Sequence, residues 1–136
     1  MNKLILTSIP RSGSTWLFRS LCGLPQGSTT QKNPFIRQGW ELHKTHLPFH
    51  YWENKITEND KIIFVYGDVI DSVISTKLNR NEPNHYKNCG YIGDLTNKDI
   101  FKEDFANYEL IFDSWINCKK NRLCIRYENF NEQSTS

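Results

Sequence analysis

The chain has 136 residues, of which 38% are apolar and 24% charged, with a formal net charge of +2. That length suits one domain over residues 1–136 and leaves no room for a nucleotide domain beside a separate substrate domain. The near balance of charge excludes a strongly basic nucleic-acid binder, so local charge has to carry the function.

The N-terminal apolar run, Leu4-Ile5-Leu6, is too brief for a signal peptide or a membrane span, which points to a cytoplasmic protein with no membrane partner. Cys22, Cys89, Cys118 and Cys124 form no Cys-x-x-Cys pair and read as buried small apolar groups in a reducing compartment. Lys3 to Ile9 is aliphatic and β-branched without a helical period, so it is expected to be a buried strand ending at Pro10. Ser14 to Cys22 then places Trp16, Leu17, Leu21 and Cys22 at helical spacings, before Gly23 and Pro25 end the helix.

Gln26 to Gln38 is polar and punctuated, and reads as an exposed loop or flap. Trp40 to His46 is expected to be a short strand. Of Trp40, Phe49, Tyr51 and Trp52, which lie in loop-like sequence, about half are expected in the core. Lys61 to Tyr66 is continuously apolar after its first residue, predicting a strand buried on both faces at the centre of the sheet. Gly67 and Asp68 punctuate it, and a helix follows with an apolar stripe of Val69, Val73, Ile74 and Leu78. Residues 80 to 97 read as irregular, Asp99 to Cys118 as a helix, Arg122 to Tyr127 as a last strand and 131 to 136 as a frayed tail. Strands alternating with helices predict an α/β fold, a three-layer parallel sheet with flanking helices whose ligands lie beyond the carboxyl ends of the strands.

Three clusters of residues carry candidate chemistry. Arg11, Ser12, Gly13, Ser14 and Thr15 join the first strand to the first helix, where backbone N–H groups, the helix dipole and a permanent guanidinium favour a phosphate or sulfate ester. The loop lacks the Gly-x-x-x-x-Gly-Lys-Ser/Thr pattern, which argues against a magnesium-dependent nucleoside triphosphatase. Trp16 reads either as the first core residue of the helix or as a surface for a base, with the core reading ahead on pattern alone. Lys44 and His46 share one face at a strand end and pair a cation with a near-neutral base; both also fit ordinary solvated strand-end residues. Zinc on His43, His46 and His50 is disfavoured, because Pro48 breaks any common helical face and no cysteine is near in sequence. Asp68, Asp71 and Ser75 need be no more than a cap and helix polar residues.

Taken together, Pro10-to-Trp16, Lys44-Thr45-His46-Leu47-Pro48, Lys61-to-Ser75 and Arg126-Tyr127-Glu128 resemble, in order and spacing, the sulfotransferases that use 3′-phosphoadenosine-5′-phosphosulfate (PAPS). The resemblance spans nearly the whole chain and implies a P-loop, nucleotide-kinase-like sulfotransferase fold, with PAPS as donor, adenosine 3′,5′-bisphosphate as product and no metal. It implies that residues 11 to 15 hold the 5′-phosphosulfate, that Trp16 stacks on the adenine, and that Ser75 and Tyr127 contact the 3′-phosphate and the adenine. His46 would be the general base, with Lys44 and Arg11 neutralising the transferring group. The acceptor would be a small molecule or a saccharide bearing a hydroxyl or amine; a homo-oligomer is left open.

Two departures from the family pattern stand out. Gly67 occupies the position of the arginine that usually binds the 3′-phosphate, with Lys77 and Arg80 as candidate replacements, and no Gly- and Lys/Arg-containing C-terminal loop follows Glu128. On those terms the chain reads as a minimal enzyme, one completed by a second subunit, or a fragment. A catalytically inactive nucleotide- or anion-binding module is the alternative, and a metal-independent phosphoryl-transfer enzyme a third reading.

Overall fold

The computed structural model describes residues 1–25 and 32–126. In chain order they form β1 (Asn2–Ser8), α1 (Ser14–Leu21), β2 (Phe35–Arg37), β3 (Trp40–Thr45), α2 (Phe49–Trp52), β4 (Lys61–Tyr66), α3 (Val69–Leu78), α4 (Pro83–Asn88), α5 (Glu103–Ile116) and β5 (Leu123–Arg126). The strands make one sheet in the order β2-β3-β1-β4-β5. β3, β1, β4 and β5 run parallel, while β2 pairs antiparallel with β3 through Phe35 opposite Leu42 and Arg37 opposite Trp40.

Alternation along the strands builds the layers. On β1 and β4, Ile5, Ile62 and Phe64 pack into a core with Tyr108, Ile111 and Trp115 of α5, whereas their neighbours Leu6 and Val65 pack into a second core with Phe18 of α1. Helices therefore cover both faces, as the continuous apolar runs require.

Several expectations need correction. The sheet is mixed rather than wholly parallel, because part of the stretch read as a loop or flap forms the edge strand β2. β1, not β4, lies in the middle of the five strands, since it is the strand that pairs with both β3 and β4. α4 lies where the chain was read as irregular; Pro83 at its first turn, with φ preset for a helix, is the signal that was available. The α3 stripe also fails: Val73 is buried, but Ile74 is 40% and Leu78 76% exposed, and the buried face is completed by Ser72, Thr76 and Lys77. Thr76 and Lys77 bond to α5: Thr76 Oγ1 lies 2.6 Å from Tyr108 Oη, and Lys77 Nζ lies 3.1 Å from Asp104 Oδ1. Cys124 is exposed on β5, unlike the three buried cysteines, and all four are free. Among the loop-like aromatics, Trp52 is buried, Phe49 packs against the main core, Trp40 against the smaller one, and Tyr51 is half exposed. Among the described residues no helix is long and apolar enough to cross a membrane.

Candidate functional site

Because β3, β1 and β4 are parallel neighbours, their carboxyl ends at Thr45, Ser8 and Tyr66 emerge at one edge of the sheet. The segments that follow them, 9–13, 46–48 and 67–68, are thereby brought together without any contact in sequence. They enclose a cleft of about 530 Å³, whose walls include Arg11 to Thr15, Lys44, His46, Gly67 and Ser75.

The wall made by residues 11 to 15 is shaped by backbone geometry. Gly13 caps α1 in the left-handed region (φ 77°), a conformation glycine adopts without steric cost, and supplies no side-chain acceptor for the first N–H groups of the helix. The cap side chain therefore does not compete with an anion for the positive end of the helix dipole. Arg11 is also left-handed (φ 64°), a conformation that costs a residue with a Cβ about 1–2 kcal/mol. Ser12 is only 1% exposed, and its Oγ has no hydrogen-bond partner among the described residues. Strained backbone and an unsatisfied buried hydroxyl in the same turn are what a fold tolerates where a ligand completes the bonding.

Across the cleft, His46 Nδ1 lies 2.9 Å from Ser8 O and 3.2 Å from Ser8 Oγ. A carbonyl oxygen only accepts, so the proton resides on Nδ1 and the Nε2 lone pair is left to receive another. Burial, then the Lys44 charge, and more weakly His85, push the His46 pKa down to about 4 against an opposing pull from Ser8 O. The imidazole is therefore neutral near pH 7. Burial also lowers the pKa of Lys44, whose backbone N–H and C=O are both bonded by the Asn33 side chain at 2.9 and 2.7 Å.

Most of the predicted site residues meet here. Arg11, Ser12, Gly13, Ser14, Thr15, Lys44, His46 and Ser75 all line the cleft, and Arg11 Nε donates to Ser75 Oγ at 2.9 Å, tying the α1 loop to α3. Trp16 does not line it and is 46% exposed, so the core reading fails: its position faces outward from a helix whose buried contacts come from Phe18. Tyr127 lies outside the described residues. His85, carried on α4, was missed; its ring stands edge-on to His46 with centroids 6.5 Å apart. Asp68 does cap α3, its Oδ1 accepting from Ile70 N–H at 2.8 Å, yet it lines the cleft together with Asp71. Among the described residues no three His, Cys, Asp or Glu side chains are grouped to hold a metal ion; His43 instead packs edge-on against Trp52.

No protein-family profile and no curated protein matches the sequence. In three dimensions the chain is similar to a mouse sulfotransferase, SULT7A1, whose crystal structure is of a complex with PAP, with a TM-score of 0.60 and 19% identity. The chain shares its fold with part of that protein. The match takes in 98% of this chain and 54% of the mouse protein, so the chain spans about half the length of that neighbour.

Proposed function

We propose that the cleft is the donor and reaction site of a sulfuryl transferase. The donor is a nucleoside 5′-phosphosulfate, PAPS being the one the sequence resemblance implies, and the acceptor is a hydroxyl or amine. The observation that carries the reading is a neutral imidazole, held through Nδ1 by Ser8, opposite a loop whose helix cap supplies no side-chain acceptor and whose Ser12 hydroxyl has no partner among the described residues. A fold shared with a sulfotransferase complexed with PAP supports it.

On this reading the acceptor oxygen or nitrogen attacks sulfur in line. The bond from sulfur to the bridging oxygen breaks, and the departing nucleotide phosphate keeps the electron pair. The acceptor proton passes to His46 Nε2. Lys44, Arg11 and the loop N–H groups stabilise charge on the sulfuryl oxygens and the leaving phosphate, a role of preorganised electrostatics. Transfer of labelled sulfate from PAPS and from adenosine 5′-phosphosulfate to a panel of hydroxyl and amine acceptors tests it. His46→Ala should lower the rate by roughly 100-fold or more; an unchanged rate in that variant, or no turnover with either donor, sinks the proposal.

Gly67, which offers no side chain to the cleft, favours a second reading: a nucleotide-binding module that kept the loop and lost transfer. That reading expects calorimetric binding of adenosine 3′,5′-bisphosphate that Arg11→Ala abolishes and His46→Ala leaves intact.

A further inference from the structure

The two ends of the cleft differ in charge. Among the described residues that line it, only Arg11 and Lys44 carry a fixed positive charge, and the wall from Gly67 to Ser75 contributes two carboxylates, Asp68 and Asp71. The start of α3 could in principle greet an anion, but Asp68 already accepts from Ile70 N–H and Asp71 sits in the first turn, so its dipole and one of its donors are taken. The cations further along, Lys77 and Arg80, do not line the cleft. Lys77 is buried against Asp104 and donates to Asp94 O at 2.6 Å and Asn97 O at 3.0 Å, while Arg80 Nη1 donates to Lys77 O at 3.1 Å. Among the described cations that line the cleft, Arg11 is the one bonded to this wall, through Ser75, and it is the same guanidinium that the phosphosulfate end requires.

We infer that the nucleotide selected by this cleft has free ribose hydroxyls on the side facing Asp68 and Asp71, with no phosphate there: the donor is of the adenosine 5′-phosphosulfate type, not its 3′-phosphorylated form. This rests on the proposed nucleotide phosphosulfate donor. With the reacting group beside His46, the sugar has the Gly67-to-Ser75 wall to lie against. A ribose hydroxyl can donate to a carboxylate, whereas a second phosphate dianion would face two like charges and share one cation. The same chemistry lets an acidic residue choose an unphosphorylated ribose in dinucleotide sites, where an arginine chooses the phosphorylated one.

Titration calorimetry at low salt with adenosine 5′-monophosphate and adenosine 3′,5′-bisphosphate decides it. The monophosphate should bind about tenfold more tightly or better. The double variant Asp68→Asn with Asp71→Asn keeps a capping side chain, so it should fold with an unchanged melting temperature, and it should erase or reverse that preference. Tighter or equal binding of the bisphosphate by the wild-type chain overturns the inference and leaves the nucleotide reading standing. A preference that persists in the double variant overturns the assignment to the two carboxylates. Binding of neither nucleotide overturns the nucleotide reading itself, and this inference with it.

Discussion

His46 illustrates how one side chain links fold and chemistry. Its unfolded pKa is near 6.5 and its folded value is about 4, so the unfolded chain binds the proton more readily. The stability that the neutral ring contributes is complete above pH 6.5 and is lost as pH falls through 4, a change of roughly 3 kcal/mol. Under the proposed function a bound donor anion would oppose the Lys44 charge and raise the His46 pKa toward working pH, so the acid limb of kcat should lie above that of kcat/KM. An NMR titration of the His46 ring with and without nucleotide checks this; an unmoved midpoint refutes it. Ser12 makes the complementary case. An unpartnered buried hydroxyl is a liability until a ligand satisfies it, so Ser12→Ala should hold or raise stability by up to about 1 kcal/mol while weakening nucleotide binding roughly tenfold. Loss of stability with affinity retained would show that Ser12 serves the fold alone. Both residues were legible as candidates, because Arg11-Ser-Gly-Ser-Thr15 and Lys44-Thr-His46 show their types and spacing in sequence. The hydrogen bond that sets the His46 tautomer was not, since Ser8 is 38 residues away.

At the scale of elements, α3 shows where periodicity misleads. Ile70, Ile74 and Leu78 recur every four residues but face solvent, because the opposite face holds a polar lock with α5 and the segment before it. Asp104 accepts from Tyr91 Oη at 2.5 Å and from Phe101 N–H at 2.7 Å as well as pairing with Lys77, and it is 1% exposed. Burial pulls its pKa up, but those hydrogen bonds and the Lys77 charge outweigh burial and hold it below the ordinary carboxylate range. Its contribution is therefore present above about pH 4 and disappears as pH drops through the folded value. Asp104→Asn should cost about 3–5 kcal/mol in urea unfolding at pH 7, because it strands the Lys77 ammonium in the interior. Equal midpoints for the variant and the wild type would mean the pair contributes nothing net. A Cβ at Gly93 would collide with Asp104 Oδ1 and Tyr91 Oη, which explains a glycine at that turn. Reading the lock from sequence would have required knowing that residues 77, 91 and 104 meet, and no local pattern encodes that.

For the whole molecule, strands ending in candidate loops placed the candidate residues at the carboxyl edge of the parallel strands, where the cleft lies. The order of those strands was not accessible: β1 became central through pairing with β3 and β4, and β2, only three residues long, entered as an antiparallel edge from sequence too short to announce a strand. Local chemistry alone determined the strand–loop–helix unit at 3–21, the helix-capping Asp68, the strand at 61–66 with Ile62, Phe64 and Val65 buried, and the residue types able to hold an anion and accept a proton. These depend on neighbours within a few positions. Tertiary structure decided that Arg11 reaches Ser75, that His85 stands beside His46, and that Lys77 is spent on Asp104, so that the wall opposite the anion loop is acidic. Charge and hydrogen bonding act over a few ångströms of space, and only the folded chain sets which residues share those few ångströms.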